Sequence, residues 1–186
     1  TKLSENLFEG LSPWMQKLPG GLIHVNVVGC ALFAAISGSS AATVATVGKM
    51  SIPELRKRNY PEKILLGSLA GSGTLGLLIP PSIILIIYGV TVQESIAKLF
   101  VAGIIPGIMI ASIFMGYVIL WSLFNKKDMP SINNQYSFID KVKKSGQLIP
   151  VIILIVSVIG SIYTGIATAT EAASLGVVGS LILTYI

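Results

Sequence analysis

Apolar and polar positions fall in long blocks along this chain rather than in the short periods of an amphipathic soluble domain. Apolar runs occupy 20–48, 64–90, 99–124 and 148–186, and charge-bearing stretches separate them at 1–19, 49–63, 91–98 and 125–146. A helix needs about 20 apolar residues to cross a bilayer, so the blocks predict membrane helices. The first run is divided by a small, polar tip, Ser37-Gly38-Ser39-Ser40-Ala41-Ala42-Thr43. Leu18 to Ile36 is barely long enough to span and Ala41 to Gly48 is too short. The pattern therefore predicts a re-entrant hairpin over 20–58 that enters and leaves on one side, with a single spanning helix bearing a polar patch as the alternative.

The second run, 64–90, is long enough to span but carries Gly71, Gly73, Gly76, Pro80 and Pro81 near its centre. Two prolines remove two backbone donors and the glycines admit conformations that other residues resist, so this segment reads as two half-helices around an irregular middle. Run 99–124 is an uncharged span in which Gly103 and Gly107 flank Pro106; Tyr117 and Trp121 fall near its far end, where amphipathic rings favour the interface. Run 148–186 is interrupted near 165–171 and reads as the start of a second repeat. The expected fold is all-α: a polytopic membrane protein with a re-entrant helical hairpin and discontinuous transmembrane helices.

Composition strengthens this picture. Of 186 residues, 53% are hydrophobic and 11% charged, with mean hydropathy +0.81, which excludes an ordinary soluble domain. The net charge is +5, and most of the cations lie in two clusters, Lys49 to Lys63 and Asn125 to Gly146. Cations flanking apolar spans mark cytoplasmic loops, so a lipid bilayer is the expected partner and nucleic acid is not. Thr91 to Lys98 then connects on the opposite side, and the segment 1–19, with Trp14, is polar. One cysteine, Cys30, excludes an internal disulfide. The chain begins without Met and stops inside an apolar helical pattern, from which we expect a fragment of a longer subunit.

The candidate chemistry sits at the breaks. Gly71-Ser72-Gly73-Thr74-Leu75-Gly76 matches a dinucleotide-binding fingerprint, but that motif needs a strand before it and an amphipathic helix after it, and here two prolines follow in a membrane-length run. Instead, hydroxyls and freed carbonyls of Ser72, Gly73, Thr74 and Gly76 are expected to face those of Ser37, Gly38, Ser39, Ser40 and Thr43. Carbonyls at half-helix C-termini can hold Na⁺, here at Ser39, Ser40, Gly73 and Thr74, and half-helix N-termini attract an anionic group. Tight helix packing by small residues is the competing explanation. Thr168, Thr170 and Glu171 form a possible second element: Thr168 and Glu171 have capping-box spacing, while a lone acid at membrane depth also suggests cation or proton coupling. His24 has no second ligand or nucleophile near it in sequence and reads as structural. Nothing in the sequence points to an enzyme or to a cofactor other than a coupling ion.

Five motifs in order resemble the large membrane subunit of TRAP transporters, the tripartite ATP-independent periplasmic carriers. They are Gly20-Gly21-Leu22-Ile23-His24-Val25-Asn26-Val27, the tip 37–43, Gly76-Leu77-Leu78-Ile79-Pro80-Pro81-Ser82 with Tyr88-Gly89-Val90, Ala102-Gly103-Ile104-Ile105-Pro106-Gly107, and Thr168-Ala169-Thr170-Glu171-Ala172-Ala173. The resemblance implies a multi-pass subunit of a bacterial inner membrane, of the ion-transporter superfamily and elevator type. It also implies Na⁺-coupled import of an organic acid, of C4-dicarboxylate or sugar-acid type, with a periplasmic substrate-binding protein and a small membrane subunit as partners. The tip 37–43 then resembles the first hairpin and 71–82, with Pro80 and Pro81, the unwound helix facing it, together forming a sodium site beside the substrate pocket. The family usually has Thr-Pro-Thr-Glu where this chain carries Ala169, and a second hairpin is not present, so this stretch alone is not expected to transport. A channel or structural scaffold without ion-coupled transport is the alternative.

Overall fold

The computed structural model describes residues 2–130 and 136–185, with the side chains of 2–5 and 183–185 left aside. Among these residues all regular structure is helical. The order is α1 (Lys2–Met15), α2 (Ile23–Ser37), α3 (Ser40–Lys57), α4 (Glu62–Gly73), a 3-10 turn (Thr74–Leu77), α5 (Ile83–Val92), α6 (Ile96–Phe124), α7 (Phe138–Ser145), α8 (Ile149–Tyr163) and α9 (Ala169–Tyr185), with short 3-10 turns before and after α7.

The core lies at the junction of α1, α2, α3 and α4. Leu7, Phe8 and Leu11 of α1 pack with Leu22, Ile23, Val25, Leu55, Ile64, Leu65 and, from α6 and α8, Val118 and Val151. Helices α2 and α3 fold back on each other around Gly38, with Gly29 against Val47, and no residue of α2 is exposed. Tyr60 closes the base, its hydroxyl accepting the Leu22 N–H at 3.0 Å. Two helical stretches are long and apolar enough to cross a membrane, Ile96–Phe124 and Phe138–Tyr163, the latter running through α7 into α8.

Several boundaries differ from the sequence reading, each for a local reason. The polar segment 1–19 contains α1: Leu7, Phe8 and Leu11 recur at helical spacing and are buried, while Gln147 Nε2 donates to Glu9 Oε2 at 3.1 Å on the polar side. The expected loop 49–63 is mostly helix, because α3 runs on to Lys57 with Arg56 and Lys57 in its last turn, where cations complement the helix dipole. The connection 91–98 shrinks to three residues, Gln93 closing α5 in a left-handed conformation and the Ser95 hydroxyl capping α6 at the Lys98 N–H. The expected loop 125–146 contains α7, started by a capping box of Ser137 and Asp140; its residues 131–135 lie outside the described residues.

Candidate functional site

The tip between α2 and α3 is set by Gly38. Its φ of +59° ends α2 in a left-handed conformation, with its N–H donating to the Ala34 carbonyl. Ser39 is extended and its Oγ caps α3 at the Ala42 N–H, 3.5 Å away. Ser37 Oγ and the buried Thr43 Oγ1 are hydrogen-bonded to each other at 2.9 Å, locking the two arms together just below the turn.

The second element is the interruption between α4 and α5. Helix α4 stops at Gly73, the chain tightens into a 3-10 turn over Thr74–Leu77, and α5 begins at Ile83. Between them the Pro80–Pro81 bond is cis, and Ser82 Oγ donates to the Leu77 carbonyl at 2.6 Å, satisfying one of the carbonyls the break releases.

These two irregular stretches meet. The Ile83 N–H donates to the Gly38 carbonyl at 3.4 Å. A Cβ on Gly38 would lie 2.6 Å from the Pro81 carbonyl oxygen, and one on Gly76 would lie 2.9 Å from both Ser39 C and Ser40 N. A Cβ on Gly73 would collide with Val44. Gly38 and Gly76 are thus where backbone touches backbone, and Gly73 makes room for the Val44 side chain. Two helix C-termini, of α2 and α4, and two N-termini, of α3 and α5, converge here, so carbonyl-rich and amide-rich ends lie side by side.

Not every predicted site residue faces the junction equally. Ser40 Oγ is buried and has no hydrogen-bond partner among the described residues. Thr74 is exposed and its hydroxyl donates to the Gly71 carbonyl at 2.7 Å. Ser72 is fully buried, its hydroxyl donating to the Ser68 carbonyl of its own helix. A cavity of about 310 Å³ opens on one side of the junction, walled by Ser37, Gly38, Pro81 and Ser82 and by Leu154 and Gly176 of α8 and α9.

Thr168, Thr170 and Glu171 are exposed at the start of α9 and do not line that cavity. Glu171 Oε2 accepts from both the Thr168 N–H and the Thr168 hydroxyl at 2.8 Å, and the Glu171 N–H donates back to Thr168 Oγ1 at 3.4 Å. This is a capping box closed in both directions, and Ala169 adopts the first helical position in it.

The family model of the tripartite ATP-independent periplasmic transporter, DctM component, matches residues 1–186. The chain belongs to the DctM family. It is 38% identical over 161 residues to the C4-dicarboxylate TRAP transporter large permease protein DctM of Pseudomonas aeruginosa, covering 87% of this chain and 37% of that protein. It is similar also to the isethionate TRAP transporter permease protein DctMQ of Oleidesulfovibrio alaskensis, with 38% identity over 184 residues, 97% of this chain and 28% of that one. The sialic acid TRAP transporter permease protein SiaT of Haemophilus influenzae shares 34% over 183 residues, 97% of this chain and 29% of its own. This DctM-family chain therefore spans less than half the length of these curated relatives. They are named as transporter permeases, not as enzymes, and their named substrates differ.

Two residues of this DctM-family junction stand in the sequence only as members of longer motifs, with no role of their own assigned there. Asn26, fully buried in α2, donates through Nδ2 to the Leu65 carbonyl at 3.2 Å and to Ser68 Oγ at 3.0 Å, tying α2 to α4 beneath the site. A lone amide in an apolar arm was the available signal, since a buried amide requires partners. Ser82 was visible only as the residue after two prolines. His24, in contrast, is structural: Nε2 lies 2.8 Å from the Pro19 carbonyl and holds the turn into α2.

Proposed function

We propose that this chain forms the first half of the ion and substrate pocket in a Na⁺-coupled TRAP permease that imports an organic acid. The observation that carries the reading is the convergence of four helix ends at Gly38, Ser39, Gly73–Gly76 and Ile83. Interrupted helices meeting in an apolar segment are the arrangement in which membrane carriers hold ions and anionic groups. A cation at this junction fits the chemistry of Ser40 Oγ, an orphaned buried oxygen beside backbone freed by the break. Ser39, Ser40, Gly73 and Thr74 remain the candidate Na⁺ ligands, with Thr74 required to turn its hydroxyl from Gly71. The amide-rich starts of α3 and α5 suit a carboxylate, and the relatives' names support a family that handles small organic solutes, dicarboxylates among them.

In this reading the complete permease works in the bacterial inner membrane with a small membrane subunit and takes its cargo from a periplasmic binding protein. The hairpin α2–α3 is re-entrant and the site moves in an elevator-like step. The test is uptake of a labelled C4-dicarboxylate or sugar acid by the complete transporter in proteoliposomes. Uptake should require an inward Na⁺ gradient, and Ser40→Ala should raise the Na⁺ concentration for half-maximal uptake about tenfold, the effect of losing one ligating oxygen. Uptake equally fast with K⁺ replacing Na⁺, or an unchanged Na⁺ dependence in Ser40→Ala, would refute it.

A further inference from the structure

A second cavity, of about 420 Å³, lies between α1, α3 and α7, away from the helix-end junction. It gathers cations from both basic stretches of the sequence: Lys49 and Arg58 from the first, Lys144 from the second. Arg58 is engaged, its guanidinium donating to Glu54 Oε1 at 2.6 and 2.9 Å. Lys144 rests its ammonium 4.7 Å over the Tyr136 ring. Neither Lys49 nor Lys144 makes an ion pair among the described residues. The remaining carboxylate, Glu9, is exposed and accepts from Gln147. Three cations and two carboxylates, Glu9 and Glu54, thus line one cavity, and its two lysines are the cations left without a carboxylate partner among the described residues, an excess of positive charge that suits an anion.

The rest of the wall is apolar, with Phe8, Met50 and Pro53. Beside it α7 exposes Phe138 and Ile139, 70% and 75% accessible, next to Lys143 and Lys144, while Lys141 is buried with its ammonium 5.4 Å over the Trp14 ring. Trp14 stands at the same edge, its Nε1 donating to Ser145 Oγ at 2.7 Å. Exposed apolar residues and lysines on one short helix, with a tryptophan at the border, mark the level of lipid headgroups.

We propose that this cavity binds a membrane phospholipid, its headgroup phosphate between Lys49 and Lys144 and its glycerol end against Phe8, Met50 and Pro53. A free phosphate would satisfy the lysines but leave the apolar wall unused. The test is native mass spectrometry of the complete transporter carried through delipidation, with phosphatidylglycerol, phosphatidylethanolamine or inorganic phosphate added back. One phospholipid should remain bound to the wild type. Lys49→Gln with Lys144→Gln should weaken its affinity about 30-fold in the add-back titration, from two lysines at a lipid surface. Lys49→Arg with Lys144→Arg should keep it, as should Lys57→Gln with Lys127→Gln outside the cavity. Equal retention by the double glutamine variant would overturn the proposal, and so would displacement of the lipid by millimolar inorganic phosphate. The readout is lipid retention, so it stands apart from any Na⁺ dependence of uptake.

Discussion

Helices α2 and α6 are both apolar, yet they occupy opposite environments. Every described residue of α2 is at least partly covered by α1, α3, α4 and the turn after α4, and its Asn26 is fully buried. Helix α6, almost twice as long, buries only Phe100, Gly103, Gly107, Val118 and Ser122 and exposes a row including Val101, Ile105, Ile108, Met109 and Ile113. The difference shows why the interruptions sit where they do. Irregular backbone and buried amides are tolerable in a membrane segment only where protein surrounds them. Around α2 the chain supplies that surround; along α6 it does not, and there the helix is unbroken for 29 residues, even through Pro106.

The contrast can be broken most forcefully at the tip. Gly38→Val adds a β-branched side chain at φ +59° against the Pro81 carbonyl. We expect a loss of about 3 kcal/mol in stability, with uptake abolished in the complete transporter, read by thermal unfolding and by transport in parallel. Normal uptake by this variant would mean the tip and the interruption need not touch. A smaller effect is expected at Asn26→Ala, which removes the donors to Leu65 and Ser68. It should lower stability by about 1 to 2 kcal/mol in the same unfolding measurement, and no change would show the α2–α4 tie to be dispensable. The smallest effect sharpens the other side. Ile105, 76% accessible, should tolerate Ala within about 0.5 kcal/mol. A larger loss would reveal that a protein neighbour, not lipid, covers this row in the assembled transporter.

Legibility followed the same division. The apolar blocks and the Gly and Pro signals at 71–82 could be read because those residues act through their own backbones, and the chain does leave the α-helix between Gly73 and Ile83. Glu171 could be read as a cap for the same local reason. What could not be read depends on tertiary partners. Leu7, Phe8 and Leu11 look unremarkable in a polar segment until α2 covers them. Asn26 gains meaning only from Leu65 and Ser68, some forty residues on. The orphaned Ser40 hydroxyl, set among hydroxyls that are otherwise engaged, is a property of packing that no spacing in the sequence encodes.

The hydrogen bond from the Ile83 amide to the Gly38 carbonyl has a mechanical corollary. Together with the close approaches at Gly38 and Gly76, it clamps the loop of one helix pair, itself latched by Ser37 and Thr43, onto the shoulder of the next. Neither piece can swing while the other stays put without tearing those links at once. A shift of either stretch against the other would open the Ile83–Gly38 hydrogen bond and the close backbone approach at Gly76 together.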